Sequence, residues 1–205
     1  MQETMIPTGF RTLDALLGGG LRPGTLTLVG SRPGMGKTTF IRRIEEQTGT
    51  PRGMLSFDRS KGSFPWVFEQ MSHSPAKIVF IDDLTYYEGS LAGKARLLRD
   101  SAKKLNIAVV AAVKLPRSLE KREDAHPILS DFRAGPFGLF GAERYADNVI
   151  ALYRASYYDP LAEWDAPDGA SNAEAIVLKS AGGATGTVRM IFDGKAKIWR
   201  EAQEQ

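Results

Sequence analysis

The stretch Ser31-Arg32-Pro33-Gly34-Met35-Gly36-Lys37-Thr38-Thr39 contains residue types whose spacing could do definite chemistry. Two glycines let a backbone close on an anion, a lysine follows them, and two hydroxyls follow the lysine. Set between a strand and a helix, such a loop turns several backbone N–H groups toward one point, where the helix dipole also favours negative charge. This is a phosphate cradle. Lys37 is placed to bridge the outer phosphates of a nucleotide, and the Thr38 hydroxyl to ligate Mg²⁺. The candidate binding residues are Arg32, Pro33, Gly34, Met35, Gly36, Lys37, Thr38 and Thr39, with ATP and Mg²⁺ as the expected cofactors. The strict pattern opens on a glycine, and here Ser31 stands in that place behind Gly30. The bland alternative is a glycine-rich turn that merely joins a strand to a helix.

A phosphate loop of this kind needs a second group for its metal, usually an aspartate ending a neighbouring apolar strand. Ile78-Val79-Phe80-Ile81-Asp82-Asp83 supplies one, and Asp82 is the expected metal residue beside Thr38. Alone, an acidic pair at a strand end could simply begin a loop.

The elements that must position these groups alternate strand and helix. Residues 25–30 form a short apolar run, read as a buried strand, and residues 37–47 put Phe40, Ile41 and Ile44 on one face of a helix. Further strands are expected over 53–57, 77–82 and 107–113. Between them lie a short helix over 64–71, begun by Ser63 and Pro65, and one opened by Ser90 with the stripe Leu91, Ala95, Leu98, Ala102 and Leu105. Beyond Val113 come a charged stretch over 114–131, a glycine-rich one over 135–141, and strands at 148–153, 174–179, 187–192 and 197–199. Residues 159–172 read as an exposed loop. The expectation is an α/β fold in one domain over 1–205: a mainly parallel sheet covered by helices on both faces, with a β-rich C-terminal extension.

Composition excludes several classes. The 205 residues include no cysteine, so thiol catalysis, disulfides and cysteine-bound zinc are ruled out. The two histidines, His73 and His126, make no ligand spacing. No apolar run approaches the ~18 residues of a membrane span, and the first residues carry no secretion signal, so a cytoplasmic protein is expected. A net charge of +3 permits a polyanionic partner without demonstrating one.

Several motifs together carry a family resemblance. Ile6-Pro7-Thr8-Gly9-Phe10, Leu13-Asp14, Gly19-Gly20-Leu21 and the phosphate loop resemble the ATPase domain of DnaB-type replicative DNA helicases. So do Arg117-Ser118-Leu119-Glu120-Lys121-Arg122, Leu129-Ser130-Asp131-Phe132-Arg133, Ala146-Asp147-Asn148-Val149-Ile150, Tyr153-Arg154, Tyr158-Asp159 and Gly186-Thr187-Val188-Arg189. The resemblance implies a RecA-like core that assembles as a ring, with ATP at subunit boundaries and single-stranded DNA in the centre. It also implies possible partner replication proteins and DNA contacts at Arg117, Lys121, Arg122 and Arg133. From the residues alone, that basic stretch reads equally as a solvated face, because Glu120, Glu123 and Asp124 nearly cancel its charge.

Three departures from the family pattern bear on catalysis. Where the family ends its second strand with a water-orienting glutamate, this chain has Asp58, whose carboxylate is withdrawn by ~1.5 Å. A misplacement of ~1 Å can cost about 100-fold in rate. Lys114 stands where the family has a glutamine that senses the outer phosphate. Lys179-Ser180-Ala181 replaces a Lys-x-Arg whose arginine reaches the neighbouring subunit, a group worth roughly 10³–10⁵ in kcat. Lys37, Asp58, Lys114 and Lys179 are thus the catalytic candidates. Residues 59–76 replace a longer family segment, and the resemblance begins at residue 6, so a shortened member without the family's N-terminal domain is expected. The expected function is ATP hydrolysis coupled to movement on single-stranded DNA in replication, with weakened turnover. The alternatives are an accessory or regulatory protein that binds ATP, and a RecA-like ATPase of the recombination or clock type.

Overall fold

The computed structural model describes residues 4–48, 54–58, 63–133, 141–158 and 170–202. Strand β4 (Ala108–Lys114) shows why the core is a parallel sheet. Its residues Ala108 to Val113 are all buried, alternately against one layer of helices and the other. A strand with no polar face must be covered on both sides, and crossover helices supply that cover. The neighbours of β4 are β1 (Leu26–Ser31) and β3 (Ile78–Asp82), with β2 (Met54–Asp58) beyond β3 and β5 (Asn148–Tyr153) beyond β1, all parallel. Antiparallel strands β6 (Ala170–Lys179), β7 (Gly186–Asp193) and β8 (Ile198–Glu201) complete one eight-stranded sheet in the order β2-β3-β4-β1-β5-β6-β7-β8.

Among the described residues, four α-helices cover the sheet. Helix α1 (Arg11–Leu16) and α2 (Lys37–Gln47) share a core with Val29, Phe80, Val110 and Ile150. Helices α3 (Phe64–His73) and α4 (Leu91–Leu105) pack on the opposite face against Leu28, Val79, Val109 and Val149. The predicted apolar stripe of α4 is the buried one, and Ser90 Oγ accepts the Gly93 N–H at 3.1 Å as its cap. Ser63 makes no side-chain cap to α3, whose start rests on Pro65 in the first turn. Arg99 of α4 forks onto Asp147 at 2.7–3.2 Å, and the same carboxylate accepts the Leu26 N–H at 3.0 Å, tying α4 to the start of β1.

The α/β architecture and the β-rich extension are as the sequence predicts, with two corrections. Helix α1 has no counterpart in the sequence reading; Asp14 folds it back on the preceding segment by accepting from Thr8 N and Thr8 Oγ1 at 2.8 and 2.7 Å. The predicted exposed loop over 159–172 is shorter than expected, since Ala170, Ser171 and Asn172 already belong to β6, paired with Asp193, Phe192 and Ile191. The remainder of that loop, and residues 135–140 of the glycine-rich stretch, lie outside the described residues. Among the described residues, no helix is long and apolar enough to cross a membrane.

Candidate functional site

Strand β1 sits at the middle of the sheet, between β4 and β5, and its carboxyl end opens where the connections diverge to the two faces. Ser31 ends it and Lys37 begins α2, so Arg32 to Gly36 form the loop. Gly36 is the N-cap at φ +91°, a left-handed conformation that side-chain-bearing residues rarely adopt. Space gives a second reason for glycine there: a Cβ on Gly36 would lie 3.0 Å from Phe192 and 3.1 Å from Trp199. The Gly36 carbonyl accepts the Phe40 N–H at 2.8 Å and the Trp199 indole N–H at 3.1 Å, which locks the loop to the C-terminal strands. Met35, 1% exposed, anchors the loop from below, while Pro33, Gly34 and Thr38 are exposed.

No side chain caps α2, and its first turn holds no acidic residue. The N–H groups of Lys37, Thr38 and Thr39 therefore have no acceptor within the helix, and the positive end of the dipole meets only a lysine. Lys37 turns its ammonium to Asp83, with Nζ 3.0 Å from Oδ2, in an ion pair whose side chains are 11% and 5% exposed. Asp83 is fixed in that pose because its other oxygen accepts the Thr85 N–H at 2.8 Å and the Thr85 hydroxyl. Asp82 ends β3 half-buried, level with Asp58 across the β2–β3 pair. Sequence reasoning selects Asp82 and passes over Asp83; the structure brings Asp83, not Asp82, to the lysine. The only available signal was that two acidic residues end the strand.

The other candidates divide sharply. Arg32 is 4% exposed and engaged elsewhere, its Nε donating to Glu120 at 2.6 Å and its Nη1 to the Leu115 carbonyl at 2.7 Å. Lys114 is exposed at the end of β4, level with Ser31. Lys179 donates to the carbonyls of Glu143 and Ala146 at 3.0 and 2.5 Å, so its ammonium serves a turn between Gly141 and Asp147. Of the basic stretch, Arg117 and Lys121 are exposed on a one-turn 3₁₀ helix (Arg117–Lys121). Arg122 forks onto Asp131 at 3.1 and 2.9 Å and donates to the His126 carbonyl at 2.6 Å, while Arg133 donates to buried Glu143 at 2.9 Å.

Two features near the loop carried no sequence prediction. Arg154, quoted only as part of a motif, donates to the Gly34 carbonyl at 3.3 Å, and its guanidinium lies 4.7 Å over the Phe192 ring. Tyr157, 40% exposed, stands beside Gly34. A cation and aromatic rings thus wall one side of the loop. A cavity of about 510 Å³ lies at the end of β4, lined by Lys94, Lys114, Ser118, Ser130 and Arg133 among others. Lys94 is 4% exposed and donates to the Tyr87 carbonyl; burial pulls its pKa below the ordinary lysine value, with the Asp83 carboxylate opposing the shift.

The sequence and the fold are similar to those of known proteins. The family model for the DnaB-like helicase C terminal domain matches residues 5–64 and 67–201. The replicative DNA helicase DnaB of Helicobacter pylori strain 26695 is 26% identical over an alignment of 290 positions, covering 94% of this chain and 58% of that protein. The replicative DNA helicase DnaC of Bacillus subtilis is 25% identical, covering 92% of this chain and 55% of that one. The chain thus spans little more than half the length of these relatives. Among solved structures, one of an isolated ATPase domain superposes with a TM-score of 0.82 at 21% identity, covering 98% of this chain and 92% of that chain. A DnaB-like replicative helicase, solved in a study of its interactions with primase, gives 0.81 at 21% identity, covering 98% and 64%. These likenesses identify the fold as that of helicase ATPase domains, RecA-like in architecture. The match breaks at residues 65–66, inside the segment expected to replace a longer one, and the chain belongs to the family of DnaB-like helicase C-terminal domains.

Proposed function

We propose that this chain binds ATP·Mg²⁺ at the phosphate loop and acts on single-stranded DNA, as a ring-forming motor of replication with slow hydrolysis. The observation that carries the reading is the uncapped start of α2 beside a lysine whose counter-ion is a buried aspartate. The donor set fits a polyphosphate: free N–H groups, an ammonium and a hydroxyl converge at one helix end, with no acidic side chain in that first turn. When bound, ATP·Mg²⁺ supplies the phosphoanhydride bond whose hydrolysis drives movement. Lys37 exchanges Asp83 for phosphate oxygens, and the N–H groups of the first turn neutralise charge. Thr38 and Asp82 would hold the metal. Arg154 and Tyr157 offer planar surfaces to the base.

Slow hydrolysis follows from two positions at which the chain departs from the family pattern. Asp58 orients water less well than the longer family glutamate, and Ala181 supplies no arginine to a neighbouring subunit. Lys179, a charge that could stand in, is occupied by two carbonyls, which leaves Lys114. On DNA, Arg117 and Lys121 make the phosphate contacts directly, whereas Arg122 and Arg133 must first leave Asp131 and Glu143. That occupation of Lys179 also favours a second reading, an ATP-binding accessory or regulatory protein of replication that has lost most of its turnover. ATP turnover with and without oligothymidylate separates the two. The motor reading predicts stimulation by DNA, and a rise in kcat of at least about tenfold in Asp58→Glu/Ala181→Arg. Turnover that DNA does not stimulate, in wild type and in the double variant, would leave only the accessory reading.

A further inference from the structure

The phosphate loop and the basic turn after β4 are joined by contacts that neither motif contains. Arg32 lies inside the loop, yet its guanidinium is held by the other segment, by Glu120 at 2.6 Å and the Leu115 carbonyl at 2.7 Å. The main chains are clamped in parallel, with the Leu115 N–H donating to the Ser31 carbonyl at 3.0 Å. Behind them the fully buried Phe132 ring lies on Gly30, where a Cβ would come within 2.3 Å of Phe132 Cζ. Glu120 shares its one-turn helix with the exposed cations Arg117 and Lys121, and Phe132 immediately precedes Arg133. A buried guanidinium cannot be left without its anion, so Glu120 and the loop must move together or the pair must break. The side chain of Glu120 is 32% exposed, so the anionic end of the link is the one that a ligand on the turn can reach.

We propose that Glu120 is a positioning residue. Acting through Arg32, it sets the geometry of the phosphate loop according to whether the 117–121 turn holds a polyanion. The inference rests on the proposed function, in that the polyanion is single-stranded DNA and the loop's ligand is ATP·Mg²⁺. Because the link is a coupling between two binding sites, it must be reciprocal: DNA changes ATP affinity by the same factor as ATP changes DNA affinity.

The test measures that factor at fixed salt, by titrating ATP·Mg²⁺ into the full chain with and without saturating oligothymidylate, and oligothymidylate with and without ATP·Mg²⁺. In wild type the factor is at least about fivefold, the same in both directions. Glu120→Ala, and Glu120→Asp with its carboxylate withdrawn by ~1.5 Å, bring it to about one. Each ligand's affinity measured alone stays within about twofold of wild type, a separation that mere loss of structure would not give. Glu120→Asp keeps the charge and serves where Glu120→Ala does not fold. A wild-type factor in either folded variant overturns the inference. So does a wild type that binds both ligands with no coupling, and that result leaves the proposed function standing. A wild type that binds no single-stranded DNA overturns the DNA reading and the inference with it.

Discussion

Two loops leave adjacent strand ends, one after β1 and one after β4, and they differ in what holds them. The first is built by its backbone: a left-handed glycine, a helix start without a cap, and a carbonyl held by an indole. The second is built by side chains, Arg122 reaching Asp131, Arg133 reaching Glu143, and Glu120 accepting Arg32 from the first loop. In the first loop the chemistry is displayed, since donors face outward with one exchangeable partner. In the second, half of the positive charge is already neutralised within the fold. A basic motif is therefore a weaker statement of function than a glycine pattern, because cations find internal partners as readily as external ones, whereas a left-handed loop with open N–H groups has few other uses.

The largest effect belongs to the first loop. Breaking the buried Lys37–Asp83 pair by Lys37→Ala or by Asp83→Asn should each lower stability by about 3–5 kcal/mol, because each leaves a charge buried alone. The double variant should lose clearly less than the sum, which denaturant titration of all four proteins would show. Additive losses would mean that the two side chains do not interact.

The second loop can be tested against itself. Arg122→Ala should cost about 1.5–3 kcal/mol by removing charged hydrogen bonds to Asp131, while Lys121→Ala, exposed and apart from those pairs, should stay within about 0.5 kcal/mol. Lys121→Ala should instead reduce the salt slope of oligothymidylate binding by about 0.7, the share of one phosphate contact on a single strand. A slope that is unchanged in both Lys121→Ala and Arg117→Ala would return this face to ordinary solvated surface.

The smallest effect concerns Tyr158, whose buried hydroxyl has no hydrogen-bond partner among the described residues. Burial pushes its pKa up to about 12 from the ordinary 10.0, with Glu120 adding to the rise. The folded-state value is raised, so the associated stability is complete below pH 10. It is lost as pH rises from 10 through about 12, where the unfolded chain ionises first. Tyr158→Phe should flatten that alkaline limb and leave stability at neutral pH equal or slightly higher, as thermal melts across pH 8–12 would reveal.

Strand–helix alternation makes most of the sheet legible in the sequence, because residues 107–113 and 148–153 are too uniformly apolar to be anything but covered strands. The phosphate loop is equally legible, since its chemistry lies in consecutive residues. Asp83 is not, because which of two adjacent carboxylates turns to the lysine depends on the path of the chain after β3. The fates of Arg32 and Lys179 are hidden for another reason. Their partners lie 88 and at least 33 residues away, and no spacing within a motif reports a contact made by the fold. Helix α1 escapes notice because six residues carry too little periodicity to stand out.

The account stands on nucleotide binding at the uncapped helix start, and calorimetric titration of ATP with Mg²⁺ into wild type and Lys37→Ala tests it directly. Saturable one-site binding to wild type, weakened at least about 100-fold in a Lys37→Ala protein shown by circular dichroism to be folded, is the predicted result, a difference of about 2.7 kcal/mol. Equal affinity in the two proteins, or no binding to wild type, would contradict it.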